Sequence, residues 1–425
     1  MALMASTNAA KAEQIKLLKF ITCPHCWRRF QTCDIAWVAR HEDLRGDPVL
    51  GQDAFLRFLP TRFNVNGEAL DARGMACQVL ACPRCHLTIA RLFLRYEPLI
   101  FSLIGVPFSG KSYFLTAMTW ELGRLLPSHY SLVFNDVDPN SNVTLADYQK
   151  SLFLQKDRQQ HVGIIKTQLD STAHYDQTNL EGQSVLLPRP FLYNMRPLRE
   201  HPRADEAEKL TRILCLYDNA GEHFLPGYDT TLAPGTQHMA KAKVLMFLFD
   251  PVQDPRFREQ CLSLSQDPQL NDLSHTQMQA VILTEAASRV RQYANLPASR
   301  RLDQPLLVLV AKSDIWSGLI DEDLAAEPFL PAGQGRFNLL DGARIRRVSQ
   351  KVRALLARLA PEFVGAAEDA CKEVVYFPVS ALGCSPRKEG TMLVVRPQDI
   401  QPRWVTVPVL YAFARWTSGL VGIKG

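Results

Sequence analysis

The sequence predicts a three-layer α/β fold, in which helices cover a mostly parallel sheet, with a small cysteine-rich module before it. Two observations predict this class. Apolar, strand-like runs such as "PLIFSLI", "RILCLY", "PLLVLV" and "VVYFPV" alternate with segments of helical periodicity. Two pairs of cysteines in CxxC spacing lie ahead of the first of these runs.

Length and composition set the limits of the domain organisation. At 425 residues we expect a flexible N-terminus at 1–19, the cysteine-rich module at 20–97 and the α/β domain at 98–425. The net charge of +5 is too small to indicate nucleic-acid binding, and no apolar run has the ~18–20 residues of a membrane span. We therefore expect a cytoplasmic protein without membrane contact, whose ten cysteines stay reduced.

Four cysteines form the sequences CPHC (Cys23, Cys26) and CPRC (Cys82, Cys85). Each CxxC turn directs two thiolates at one point, so two turns together predict a tetrahedral zinc site in a zinc-ribbon-like module. The 55 residues between the pairs exceed the ~15–20 of a compact ribbon and predict an inserted β element or loop. The substitute ligands that lie close enough in sequence are His25, Cys33, Cys77 and His86.

Other interpretations of the cysteine pairs stay open. CPHC alone could be a dithiol redox motif, although no strand–CxxC–helix pattern frames it. Zinc could serve only to stabilise a domain with too little core, or the module could contact nucleic acid or protein. We favour structural zinc because a redox motif does not require a second pair.

The stretch "GVPFSGKS", residues 105–112, fits G-x-x-x-x-G-K-[ST] at every fixed position. A strand-like run precedes it and a helical pattern follows, so that backbone N–H groups and a helix N-terminus can surround phosphates. Lys111 would reach the β and γ phosphates, and Ser112 would bind Mg²⁺. The motif predicts nucleoside triphosphate binding by Gly105, Ser109, Gly110, Lys111, Ser112 and Tyr113.

Two later stretches follow strand-like runs and define the kind of nucleotide. In Asp218-Asn-Ala-Gly221, Asp218 would hold magnesium through water, and the Gly221 amide would contact the γ-phosphate. In Lys312-Ser-Asp314, the carboxylate could accept hydrogen bonds from guanine N1–H and N2–H₂, which adenine cannot supply, and the lysine stem could cover the base. Since ligands bind at the carboxyl ends of strands in such sheets, the two stretches predict a guanine nucleotide site.

A third stretch, Ser380-Ala381-Leu382, follows the last strand-like run and could approach guanine O6 through backbone amides. Together these motifs resemble the P-loop GTPases of the translation-factor and Ras-like class over residues 98–425. That resemblance implies a P-loop NTPase fold with GTP and Mg²⁺.

The cysteine pairs joined to such a core, with "RFNVNGEALDARGMAC" and "YDNAGEHF", look like the bacterial double-GTPase families of predicted conflict systems. This resemblance implies a regulatory switch in a multi-protein system, with an unidentified protein partner or activator.

Two departures from the GTPase pattern bear on the chemistry. Ala311 stands where the base-reading motif usually has Asn or Thr, which braces the phosphate loop. Glu222 stands where Gln or His usually orients water, and a carboxylate there is repelled by the γ-phosphate; His223 lies one residue too late. We predict catalytic roles for Lys111, Gly221 and Glu222, and slow hydrolysis that a partner or self-association accelerates.

The first switch is expected within an insertion spanning 129–210, which contains a strand-like "SLVFND" and a helix-like "TLADYQKSLFLQ". Thr167 is the first candidate for its magnesium-sensing threonine and Thr172 the second. The run "RPFLYNM" before "RILCLY" predicts an antiparallel hairpin.

Two other functions stay open. An ATP-dependent kinase or ATPase, with Glu222 as general base, is favoured by Ala311 and opposed by Asp314. A non-hydrolysing module could instead keep the nucleotide for stability and use its zinc domain to contact nucleic acid or protein. The stretch "GARIRRVSQKVRALLARL" predicts an amphipathic helix with a solvated basic face rather than a nucleic-acid contact.

Overall fold

The computed structural model describes residues 16–163, 174–219, 224, 234–272, 276, 278–331, 337–390, 392–417 and 419–425. In these ranges the strands are β1 (Phe20–Thr22), β2 (Arg29–Gln31), β3 (Ala36–Val38), β4 (Arg45–Asp47), β5 (Gly51–Phe55), β6 (Arg57–Phe58), β7 (Ala69–Leu70), β8 (Ala76–Cys77), β9 (Leu80–Ala81), β10 (Thr88–Ile89), β11 (Pro98–Ile104), β12 (Leu132–Asp136), β13 (Tyr175–Leu180), β14 (Gln183–Pro188), β15 (Phe191–Pro197), β16 (Arg212–Asp218), β17 (Val244–Phe249), β18 (Leu306–Val310), β19 (Phe329–Leu330), β20 (Leu339–Asp341), β21 (Val374–Pro378), β22 (Arg387–Glu389), β23 (Met392–Val394) and β24 (Gly422–Lys424). The α-helices are α1 (Lys111–His129), α2 (Val143–Phe153), α3 (Ala207–Leu210), α4 (Pro255–Cys261), α5 (Gln279–Tyr293), α6 (Ser313–Trp316), α7 (Gly342–Leu359), α8 (Pro361–Ala370) and α9 (Val407–Trp416).

The largest sheet has seven strands in the order β12-β15-β16-β11-β17-β18-β21. From β16 to β21 the five neighbouring strands are parallel. β17 and β18 are buried at every residue, which is the continuous apolar pattern of parallel strands covered on both faces. The predicted α/β class with a mostly parallel sheet is confirmed, and it brings five strand ends to one edge.

An antiparallel pair extends the sheet beyond β16. β15 runs antiparallel to β16, and β12 runs antiparallel to β15. The additional strand and the hairpin that the sequence predicts for this region are both present, and α2 is the helix predicted in the insertion. Thr167 and Thr172, the candidates for the first-switch threonine, lie outside the described residues.

Residues 20–97 form small antiparallel sheets, namely β1–β2, β10-β9-β3-β6, β4–β5 and β7–β8. The segment between the cysteine pairs is therefore the inserted β element that the sequence predicts. Two buried carboxylates hold its turns, since Asp71 accepts hydrogen bonds from four backbone N–H groups and Asp47 from three. Such side-chain bonds to the backbone stabilise turns where short strands bury little apolar surface. The division between 20–97 and 98–425 stays a prediction.

Helix α7 lies against β21 and packs on α8, which in turn packs on α5. Its apolar side chains are buried. Its basic side chains form ion pairs with acids of the same chain: Arg347 and Lys351 with Glu322 at 3.2 and 3.1 Å, and Arg353 with Glu368 at 2.5 Å. These contacts agree with the amphipathic surface helix that the sequence predicts. No helix in the described ranges combines the length and apolar character needed to cross a membrane.

Candidate functional site

One cavity of about 660 Å³ opens at the carboxyl ends of the parallel strands, where open α/β sheets bind ligands. Its volume lies within the ~300–1,000 Å³ of small-molecule sites. The four stretches of sequence that carry the predicted binding residues converge on it. The predicted binding residues that line it are Ser109, Gly110, Lys111, Ser112, Tyr113, Asp218, Lys312, Asp314, Ser380 and Ala381.

The phosphate-loop motif connects the end of β11 to the start of α1. Gly105 has no room for a side chain, because a Cβ there would lie 2.9 Å from the carbonyl oxygen of Leu248 in β17. Gly110 has a φ of 90° and precedes the first turn of α1. Because this left-handed conformation favours glycine, both motif glycines are explained by backbone geometry.

Polar side chains at the start of α1 meet the end of β16. Lys111 is buried, and its Nζ donates hydrogen bonds to the carbonyl oxygens of Gly105 at 3.0 Å and Val106 at 2.8 Å. Ser112 Oγ donates to Asp218 Oδ2 at 2.7 Å. A hydroxyl beside a carboxylate offers the oxygen ligands that magnesium prefers, so Ser112 and Asp218 fit a magnesium ion.

Two of the residues predicted for base recognition, Asp314 and Ser380, are in contact with each other. Asp314 Oδ1 accepts a hydrogen bond from Ser380 Oγ, which itself accepts one from the N–H of Gly383 at 2.8 Å. Lys312 has a φ of 53°, and its Nζ donates to both carboxylate oxygens of Asp250, at 2.9 and 2.8 Å. The loops after β18 and β21 therefore form one side of the cavity.

Gly221, Glu222 and His223 lie outside the described residues. The catalytic roles of Gly221 and Glu222 therefore stay predictions. Asp218 and Asn219, which precede them, are both described and buried.

Some cavity residues follow β17, where no sequence motif predicts a binding site. Asp250, Gln253, Asp267 and Gln269 line the cavity, and burial raises the pKa of Asp267. The available signal was the apolar run "VLMFLF", which Asp250 follows directly, as Asp218 follows "RILCLY".

The four cysteines of the CxxC pairs converge on one point. Their Sγ atoms lie within 4.8 Å of one another, with 3.8 Å between Cys23 and Cys85 and 3.7 Å between Cys26 and Cys82. Four sulfurs placed ~2.3 Å from a central zinc in a tetrahedron lie about 3.8 Å apart. All four thiols are buried and none is in a disulfide. This donor set and its spacing fit zinc.

The substitute ligands have other partners. His25 Nε2 lies 3.0 Å from the carbonyl oxygen of Thr88, and His86 Nδ1 lies 2.8 Å from the Asp47 carboxylate. Cys33 is exposed, and Cys77 is buried beside Asp71. In the part of the chain that the structure describes, the four cysteines are the one group of three or more Cys, His, Asp or Glu side chains close enough together to hold a metal ion.

The first cysteine turn packs against the end of β16. Trp27 Nε1 donates to the hydroxyl of Tyr217 at 3.1 Å, and that hydroxyl donates to the carbonyl oxygen of Pro24. The ring of His238 stacks on Tyr217 with 4.2 Å between centroids, and its Nε2 lies 3.1 Å from Asn219 Oδ1. Because Tyr217 and Asn219 flank the candidate magnesium ligand, the cysteine module and the cavity meet at this strand end.

No protein-family model and no curated protein sequence matches this chain. Solved structures with some similarity include sup35 in complex with GDP (10% identity over 67% of this chain and 38% of that one, TM-score 0.22) and the S. cerevisiae Ski7 GTPase-like domain bound to GTP (14%, 67% and 43%, 0.26). A third is the signal recognition particle receptor SRb-GTP/SRX complex from Chaetomium thermophilum (14%, 68% and 93%, 0.24). The chain spans about two-fifths of the length of the first two. Similarity at these TM-scores defines no family.

Proposed function

We propose that this protein binds GTP with magnesium in the cavity at the strand ends and hydrolyses it slowly as a conformational switch. The observation that carries the proposal is the convergence of the phosphate loop, the Ser112–Asp218 pair and Asp314 on one cavity. These groups come from distant parts of the sequence, and each suits a different part of a guanine nucleotide.

The phosphate loop and α1 are the proposed triphosphate site. Backbone N–H groups at the start of a long helix favour anions, and α1 has 19 residues. Lys111 lies at this helix start with its ammonium held by two carbonyl oxygens of the loop. A bound β or γ phosphate oxygen would be a stronger acceptor for that ammonium than a neutral carbonyl oxygen. Ser112 and Asp218 would hold the magnesium ion, which bridges the phosphates and neutralises part of their charge.

Asp314 is the proposed base-reading residue. Its carboxylate can accept from two guanine N–H groups, and the hydrogen bond from Ser380 fixes its orientation. Adenine lacks this pair of donors, so bound ATP would leave the carboxylate without the two base hydrogen bonds that guanine supplies. Ala311 remains the feature that favours an ATP-dependent enzyme. Comparing the binding of GTP and ATP distinguishes the two functions.

Slow hydrolysis follows from the sequence next to Asp218. Glu222 would bring a negative charge near the γ-phosphate, where water-orienting residues are usually neutral. We propose that an activating protein or a second copy of the chain supplies the residue that promotes hydrolysis, as the resemblance to double-GTPase families implies. The four-cysteine site is proposed to bind one structural zinc ion.

The test is direct binding of GTP and ATP with magnesium to the wild type and to Asp314→Ala, with hydrolysis followed in the same samples. Asp205→Ala, a substitution of an exposed aspartate outside the cavity, is the matched control. We expect GTP to bind at least about tenfold more tightly than ATP, and this margin to disappear only in Asp314→Ala. Equal or tighter ATP binding by the wild type would refute the GTPase assignment and favour an ATPase or kinase.

A further inference from the structure

Hydrogen bonds connect the phosphate loop (residues 105–112) to the loop after β18 that carries Lys312 and Asp314, here called the base-binding loop. This connection does not use Ala311. The methyl group of Ala311 has no polar atom with which to reach the phosphate loop, and the residue is buried. The two loops nevertheless have to hold opposite ends of one ligand. Side chains that follow β17 lie between them.

Gln253 is the central residue of this connection. Its Nε2 donates to the carbonyl oxygen of Pro107 in the phosphate loop at 2.9 Å and to Asp250 Oδ2 at 3.2 Å. The same Asp250 carboxylate accepts from Lys312 Nζ in the base-binding loop. An unbroken series of hydrogen bonds therefore runs from Pro107 through Gln253 and Asp250 to Lys312.

Burial and further contacts keep this series in place. Asp250 is 1% exposed and Gln253 is 4% exposed, so water competes little for their hydrogen bonds. Gln279 of α5 accepts from the N–H of Asp250 at 2.8 Å and donates to its carbonyl oxygen at 2.7 Å. The backbone and the side chain of Asp250 are thus both fixed. Lys312 has a further acceptor, Gln269 Oε1, at 3.0 Å.

We propose that Gln253 is a positioning residue for the nucleotide, because it braces the phosphate loop against the base-binding loop in place of a polar side chain at position 311. The proposal rests on the proposed GTP-binding function and adds a residue to that same site. Gln253 acts through Pro107 and Asp250 rather than on the ligand. A loop that is held in its binding conformation loses less freedom when the ligand binds, which raises affinity and slows release.

The experiment replaces Gln253 with methionine, which has nearly the same shape but cannot donate. Gln149→Met is the matched control, because Gln149 donates to Thr119 Oγ1 at 2.9 Å and does not line the cavity. Affinity and dissociation rate are measured with fluorescent GDP and GTP analogues in the presence of magnesium. We expect Gln253→Met to release both about tenfold faster, which corresponds to ~1.4 kcal/mol, and Gln149→Met to stay within about twofold of wild type.

A second readout separates positioning from a general loss of stability. The double variant combines Gln253→Met with Asp314→Ala. Without the hydrogen bonds of Gln253, base recognition has less influence on the phosphate loop. The combined loss of GTP affinity should therefore be clearly smaller than the product of the two single losses. A role limited to folding would give multiplicative losses and a lowered unfolding temperature. If Gln253→Met does not fold, Gln253→Asn replaces it, since its shorter amide cannot span Pro107 and Asp250 together.

Failure of the inference and failure of the proposed function give different results. If the wild type binds GTP selectively and Gln253→Met behaves like Gln149→Met, or the double-variant losses multiply, the brace is refuted and the GTP site stands. If the wild type binds no guanine nucleotide, the proposed function fails and the brace fails with it.

Discussion

Replacing Tyr217 with phenylalanine tests the junction between the cysteine module and the sheet. Tyr217 is fully buried, and its hydroxyl accepts from Trp27 Nε1 and donates to the Pro24 carbonyl. Phenylalanine keeps the ring, including its stacking on His238. The substitution therefore removes one oxygen atom and two hydrogen bonds.

The magnitude follows from the groups that lose their partner. Trp27 is 4% exposed, so its indole N–H is left unpaired, and the Pro24 carbonyl loses a donor. Each buried polar group left unpaired costs ~1–3 kcal/mol, and the loss of the hydroxyl's own desolvation offsets a part. We expect the free energy of unfolding to fall by about 2–4 kcal/mol.

The assay is urea unfolding of the zinc-loaded protein, followed by tryptophan fluorescence and circular dichroism. Tyr130→Phe is the control, because the Tyr130 hydroxyl is buried and has no hydrogen-bond partner among the described residues. Its removal should leave the free energy of unfolding within about 0.5 kcal/mol of wild type or raise it slightly. Equal effects of the two substitutions would refute the hydrogen bonds assigned to Tyr217.

Three further predictions concern the metal, the phosphate loop and pH. Metal analysis should find one equivalent of zinc in the wild type. Cys82→Ser should reduce the zinc content to less than about half an equivalent, because one of four thiolates is lost. Equal zinc contents in the two proteins would contradict the four-cysteine site. Lys111→Ala should weaken triphosphate binding by about 100-fold or more in an equilibrium titration, and unchanged affinity would place the nucleotide elsewhere. Burial raises the pKa of Glu327 from 4.5 to about 7, with a contribution from Glu121. Because the folded state then binds this proton more tightly than the unfolded state, Glu327 lowers stability as pH rises from 4.5 to 7. Urea unfolding of Glu327→Gln should accordingly show a gain over wild type that grows across this range to at most ~3 kcal/mol, whereas parallel pH profiles would show that folding does not raise the pKa of this carboxyl.

The sequence predicted the central sheet well because its strands carry a strong local signal. β11, β16, β18 and β21 are apolar runs, and each is followed by a short motif whose residue types suit one part of a ligand. β17 has the same apolar signal, but "DPVQ" after it matches no motif. Its contribution became visible only in three dimensions, because Gln253 contacts Pro107 across 146 positions of sequence.

The candidate zinc site likewise has features that are local in sequence and features that are not. CxxC geometry is local, so spacing alone predicted Cys23, Cys26, Cys82 and Cys85 as ligands. Spacing could not exclude the nearby histidines as substitute ligands. The histidines have other partners that are distant in sequence: His86 contacts Asp47, and His25 contacts Thr88. No pattern around Tyr217 predicts its contact with Trp27, which is 190 positions away.

The position of the cysteine module has an energetic consequence for the cavity. The module contacts the sheet at Tyr217 and also contacts the β13–β14 hairpin, where Thr178 Oγ1 donates to the carbonyl oxygen of Cys85 at 2.9 Å. Both contacts use the cysteine turns themselves, so their geometry depends on the four sulfurs remaining together. A ligand that binds only the folded form stabilises every contact that the folded form requires. Zinc bound at the four cysteines would therefore stabilise the end of β16, and with it the position of Asp218, although none of these four cysteines lines the cavity.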